Sequence, residues 1–158
     1  MTEKTISIPY SEYEDISKLD DIDQMLVNSA IDTAKSAYAP YSKFQVGAAI
    51  LLENDIIIIG NNQENAAYPS GLCAERVALF TAGSQYGNFA PLKMAIAAIK
   101  DGKLTDNPVS PCGACRQVFA EVEKRYSKSF SLILVGNEKI VKFEDAGLLL
   151  PFGFKINT

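Results

Sequence analysis

The chain contains no histidine. That absence removes the side chain most used for acid–base work near neutral pH, and the commonest nitrogen ligand for metals. Proton transfer must therefore fall to a carboxylate. Cysteine is scarce too. The three present, Cys73, Cys112 and Cys115, cannot all pair within one chain, so a reducing compartment explains them better than a disulfide framework. The N-terminal stretch lacks the charged and apolar regions of a signal peptide. The apolar runs at 46–52 and 56–59 are too short to span a bilayer. These absences lead us to expect a soluble cytoplasmic protein without a membrane partner. Positive charge is also in deficit: 15 Lys and Arg against 19 Asp and Glu give a net charge of −4. Such a balance offers no general attraction to nucleic acid or anionic lipid, and it disfavours a multiply phosphorylated substrate.

What is present is a globular composition, with 47% hydrophobic and 22% charged residues among 158. The length suits a single domain, 1–158, able to bury a substantial core. Residues 1–18 read as an N-terminal arm. Ile22, Leu26, Ala30, Thr33 and Ala37 recur at helical spacing, predicting a helix over 20–38 that Pro40 ends. Runs rich in aliphatic and β-branched residues predict strands at 44–52 and 56–60, joined by the turn residues Glu53-Asn54-Asp55. Further strands are expected at 93–100, 129–135 and 140–143. Helices are expected at 72–83 and 112–126, and a short helical turn at 144–149. The alternation predicts a three-layer α/β/α fold, with a mixed five-stranded sheet and helices on both faces.

The chemistry lies in the cysteines. Cys73 stands in Cys-Ala-Glu-Arg; the other two stand in Pro-Cys-Gly-Ala-Cys-Arg-Gln. Three thiolates leave a fourth position open on Zn²⁺, and Glu75 follows the first ligand closely enough to serve as general base. A structural zinc site normally needs four protein ligands; with neither a fourth cysteine nor a histidine, it would have to draw the fourth from Asp or Glu, which is uncommon. A redox Cys-x-x-Cys leaves Cys73 unused. Cys112 and Cys115 are three apart, which places them on one helix face that continues through Phe119 and Val122. Two predicted helix N-termini would converge on the metal and favour thiolate over thiol. Three thiolates leave the site at a net charge of −1, so Arg76, or less well Arg116, is expected to donate to the sulfurs.

Cys-Ala-Glu followed about forty residues later by Pro-Cys-x-x-Cys resembles the motifs of the zinc-dependent nucleobase deaminases, a well-known system that includes an all-cysteine variant. Within that superfamily the chain resembles the small homotetrameric cytidine deaminases. The likeness runs through Tyr41-Ser42-Lys43-Phe44-Gln45-Val46-Gly47-Ala48-Ala49, Asn62-Gln63-Glu64-Asn65-Ala66, Tyr68-Pro69, Gly71-Leu72-Cys73-Ala74-Glu75-Arg76, Ser110-Pro111-Cys112-Gly113-Ala114-Cys115-Arg116-Gln117 and Leu149-Leu150-Pro151. The resemblance implies one zinc per chain and hydrolytic deamination of cytidine and 2′-deoxycytidine in pyrimidine salvage, with Glu75 carrying protons. It implies that Asn62 and Glu64 hold the ribose, Phe44 packs on the pyrimidine and the Ala74 backbone reads the base. It places Tyr68 at a subunit contact, and a C-terminal phenylalanine, Phe154 or alternatively Phe152, in a neighbouring subunit's site. A blasticidin-S-type deaminase would share the zinc motifs, but Asn65-Ala66-Ala67-Tyr68-Pro69 looks like the nucleoside enzymes. A non-catalytic zinc-stabilised module is the alternative of a different class.

Overall fold

Three apolar runs build the centre of the protein. In the computed structural model, which describes residues 1–156, they form β2 (Phe44–Leu52), β4 (Pro91–Lys100) and β6 (Ser131–Val135). All three are covered on both sides, which is why their sequences are continuously apolar and not alternating. Ala48, Ile50 and Leu52, with Met94, Ile96, Leu132 and Leu134, pack against α2 (Ala74–Gln85) and α3 (Gly113–Tyr126). The intervening residues Ala49, Leu51, Ala95, Ala97, Ile133 and Val135 pack against α1 (Asp21–Ala34). Helices therefore lie on both faces of the sheet, as expected.

The strand count differs from the expected five. Besides β3 (Ile57–Asn61) and β7 (Ile140–Phe143), two short strands join the sheet: β1 (Ser11–Tyr13) and β5 (Lys103–Leu104). The strand order is β1-β7-β6-β4-β2-β3, with β5 added to β4. The pairings are antiparallel except β4 with β6, whose parallel alignment is spanned by α3. Strands of two and three residues carry no periodicity for a sequence to reveal. For β5 a signal did exist: Asp101-Gly102, at φ of 51° and 76°, forms the left-handed turn that folds it back on β4. The end of the arm is thus an edge strand on β7, and Tyr10 packs on Phe143 at 5.8 Å.

The inward face of α1 also differs. Ile22 is 46% exposed, whereas Asp23 is 1% exposed. Asp23 accepts from Lys93 at 2.6 Å and from Lys142 at 2.7 Å, so the sheet supplies two ammonium groups and the carboxylate turns inward. The helix starts at Asp20, whose side chain accepts from the Asp23 N–H at 2.8 Å. It ends at Ala34, before the expected 38.

Gly60 sets how closely α2 approaches the sheet. A Cβ there would lie 2.5 Å from Ala78 N and 2.8 Å from Ala74 O. The backbone of α2 rests directly on β3, and this contact places the start of the helix over one end of the sheet.

Candidate active site

Two helices begin at the same point. Cys73 is the N-cap of α2 and Cys112 the N-cap of α3, both with extended backbone and neither making a side-chain capping bond. Cys112 thus caps the helix from just outside it, the helix beginning one residue later than expected, and its thiol lies on the same side as that of Cys115. The Sγ atoms of Cys73 and Cys112 are 3.8 Å apart, and those of Cys112 and Cys115 are 3.5 Å apart. All three lie within 4.8 Å of one another. Zn–S bonds of about 2.3 Å in a tetrahedron require sulfurs about 3.8 Å apart. The donor set therefore fits zinc, with Cys73, Cys112 and Cys115 as its holders.

Charge around the sulfurs is balanced from two directions. The first N–H groups of both helices point toward this end without an oxygen cap. Arg76 Nη2 donates to Cys73 Sγ at 3.6 Å, while its buried Nε finds no acceptor among the described residues. The Cys73 thiol is pulled down to about 5, first by its hydrogen bond with Cys115 and then by Arg76 and Cys112, against the opposing effect of burial. Cys115 is pushed up, first by sharing its proton with Cys73 and then by burial. Arg116, the weaker candidate for a sulfur donor, instead donates to Pro111 O at 2.8 Å and Leu149 O at 3.2 Å. It braces the loop ahead of Cys112.

Glu75 lies in the first turn of α2 and is 5% exposed. Burial raises its pKa above the usual carboxylate range, and the neighbouring Cys73 adds to the effect. It opens with Cys73, Arg76 and Cys112 onto a cavity of about 750 Å³, within the roughly 300–1,000 Å³ typical of small-molecule sites. Phe44, Asn62, Glu64 and the exposed Tyr68 line the same cavity. Ala74 is fully buried behind it, and Phe154 is not among its lining residues.

The polar residues of the wall are held by contacts distant in sequence. Asn62 Oδ1 accepts from Val46 N at 2.7 Å and Asn62 Nδ2 donates to Phe44 O at 2.9 Å, so this carboxamide continues the β3 pairing and fixes the start of β2. Glu64 Oε2 accepts from Tyr41 N at 2.9 Å and Ser42 N at 3.2 Å. Its pKa is lowered, first by the Ser42 hydroxyl and, against the opposing effect of burial, by these two N–H groups. Sequence reasoning did not single out Tyr41 and Ser42 as the clamp on Glu64, because no local pattern marks a contact across 23 residues.

Three clustered thiols, two of which line a cavity with a buried carboxyl, are the layout of a zinc-dependent hydrolase with an open metal position. Within that class the chain belongs to the family described as cytidine and deoxycytidylate deaminase zinc-binding region, whose pattern matches residues 20–128. The chain is 50% identical over 131 residues to a cytidine deaminase of Halalkalibacterium halodurans, covering 83% of this chain and 92% of that protein. Its fold is similar to a crystal structure of cytidine deaminase from Burkholderia pseudomallei, with a TM-score of 0.67 and 38% identity, covering 82% of this chain and 97% of that one. It is also similar to cytidine deaminase from Mycobacterium tuberculosis, with a TM-score of 0.64 and 32% identity, covering 87% and 99%.

Proposed function

We propose that the protein hydrolyses cytidine and 2′-deoxycytidine to uridine and 2′-deoxyuridine, releasing ammonia. The observation that carries this reading is the buried Glu75 carboxyl beside three thiols at a cavity of nucleoside size. The family and the relatives named cytidine deaminase support it, and they favour it over a blasticidin-S-type enzyme or a non-catalytic module. When bound, zinc lowers the pKa of water so that a nucleophile exists near neutral pH. The chain's own part is to bind, orient and move protons. Glu75 takes one proton of the attacking water and delivers it to ring N3; it then takes the proton of the new C4 hydroxyl and gives it to the departing amine. A C4–O bond forms and the C4–N bond breaks, so water and cytidine balance against uridine and ammonia. A dry pocket that raises the Glu75 pKa lets one carboxyl serve as both base and acid.

Phe44 packs on the pyrimidine, the Ala74 backbone meets its edge, and Asn62 and Glu64 take the ribose hydroxyls. Glu64, kept ionised at the cavity wall, disfavours a 5′-phosphate, which supports a nucleoside over a nucleotide. The working form is a homotetramer with sites shared between subunits. Exposed aromatics support this: Tyr68 at the cavity is 89% exposed, and Phe152 and Phe154 project from the tail. A cytoplasmic place in pyrimidine salvage fits three unpaired cysteines. Among the described residues no helix is long and apolar enough to cross a membrane. An ultraviolet assay across cytidine, deoxycytidine, deoxycytidylate and blasticidin S tests the reading. Turnover of the first two supports it; turnover confined to blasticidin S or deoxycytidylate refutes it.

A further inference from the structure

We infer that Gln117 is a positioning residue that fixes Phe154, and not Phe152, as the aromatic presented to a neighbouring protomer's cavity. The inference rests on the shared-site reading above and deepens it. Gln117 lies two residues after Cys115, so the turn of α3 that carries the thiols also sets its place. Its Oε1 accepts from Phe154 N at 3.1 Å, and its Nε2 donates to Phe154 O at 2.8 Å. An extended residue shows its N–H and C=O along one edge, and a primary carboxamide offers the matching acceptor and donor side by side. The tail is therefore gripped at one residue as a neighbouring strand would grip it.

The grip leaves the Phe154 ring free and 72% exposed. Phe152 is more exposed, at 90%, but it stands in a turn, and among the described residues no hydrogen bond holds its backbone. The approach to the tail is tied to the same helix, because Arg116 joins Leu149 O to Pro111 O, the carbonyl just before Cys112. Beyond Phe154, Lys124 of α3 donates to Ile156 O. The chain thus runs along α3 from Leu149 to Ile156, with Phe154 pinned midway. Phe154 does not line its own protomer's cavity, so a ring so firmly based is placed for another copy.

Steady-state kinetics on the zinc-loaded protein test this. Two hydrogen bonds of ordinary net strength predict that Gln117→Leu raises KM for cytidine about tenfold, with kcat within about twofold and one zinc per chain retained. Phe154→Ala should raise KM as much or more. The double variant should be no worse than Phe154→Ala alone, since the clamp acts only through that ring. Phe152→Ala should leave KM unchanged. Should Gln117→Leu fail to fold, Gln117→Glu serves: it keeps the size but turns a second acceptor on the Phe154 carbonyl, and the same rise in KM is expected. A KM effect of Phe154→Ala that neither Gln117 variant shares, multiplying effects in the double variant, or an effect confined to Phe152→Ala overturns the inference and leaves shared sites standing. No effect from either phenylalanine overturns both.

Discussion

Replacing Glu75 by glutamine separates the proposed chemistry from the architecture that surrounds it. The change keeps the volume of a side chain that is 5% exposed, and it leaves the thiol cluster in place. It removes the ability to take or give a proton. A single positioned acid or base contributes about 10²–10⁴ in rate. Glu75 is asked to act at more than one step, and no histidine exists to replace it, so the upper end applies. The expected loss in kcat is about 10⁴, equivalent to about 5.5 kcal/mol. Zinc content should stay at one per chain, and the thermal midpoint should move by less than about 3 °C, because an isosteric change in a packed site costs little. Cytidine loss followed by ultraviolet absorbance gives the rate, and elemental analysis gives the metal. A variant that keeps more than about a tenth of the wild-type kcat would refute the proton-carrying role. Inactivity accompanied by loss of zinc would instead show that Glu75 supports the metal site.

Asp23→Ala removes the buried partner of two sheet lysines and leaves them only the more exposed Asp20 at 3.3 Å and Glu144 at 3.6 Å; with Lys142 and Lys93 side chains only 11% and 23% exposed, the cost should be about 3 kcal/mol, read as a fall of about 10 °C in thermal midpoint. A fall under about 2 °C would show that solvent already screens the cluster. Glu123 is held up at about 7, first by burial and then by Asp145, while it accepts from Phe130 N and Gly147 N. The stability carried by its neutral form is complete below about 4.5 and is lost as pH rises through about 7, so Glu123→Gln should stabilise by about 1 kcal/mol at pH 8 and not at pH 4.5 after discount for its partial exposure. Equal urea midpoint shifts at both pH values would contradict this. Gly60→Ala pushes on Ala78 N and Ala74 O and should weaken zinc retention against a chelator several-fold through displacement of the α2 start; unchanged retention would show that α2 is not seated by this contact. Removing zinc should leave the two-sided core folded but speed amide exchange at residues 74–77 and 113–116; uniform loss of protection across the sheet would show that the metal holds the whole fold.

The sheet centre was legible because β2, β4 and β6 are buried on both faces and therefore read as unbroken apolar runs. The thiol site was legible because its ligands fall in two short motifs at helix starts. What the sequence hid depends on contacts far apart in the chain. Asp23 looks like a solvated first-turn acid until Lys93 and Lys142, from two other strands, are brought to it. Asn62 lines the cavity, but nothing local shows that its carboxamide also joins Phe44 and Val46, with one N–H and one lone pair left for a substrate. β1 has three residues and finds its partners 127 to 131 residues away in β7. No local period or propensity encodes such pairings; the tertiary fold imposes them.

The cysteines at the two N-caps show how the site and the fold share one device. A serine or aspartate there would satisfy a helix N–H and stabilise the protein by about 1 kcal/mol at each end. Cys73 and Cys112 make no such bond. The open N-terminal ends of α2 and α3 instead leave positive potential near the sulfurs, where it is required because three thiolates outweigh the charge of Zn²⁺. Arg76 adds a full charge on the Cys73 side. On the α3 side the neighbouring Arg116 is committed to Pro111 O and Leu149 O, so Cys112 relies on the helix end, while Cys115 feels Arg76 only after Cys73 does. The donation to sulfur is therefore uneven: Cys73 is the most electrostatically quenched ligand, and it is also the ligand nearest in sequence to Glu75. Drawing electron density from that sulfur would make a bound zinc a stronger Lewis acid, while the Glu75 carboxyl beside it is buried enough to hold a proton. The absence of histidine makes that arrangement necessary, since a neutral imidazole ligand would have lowered the negative charge without help from a helix or an arginine.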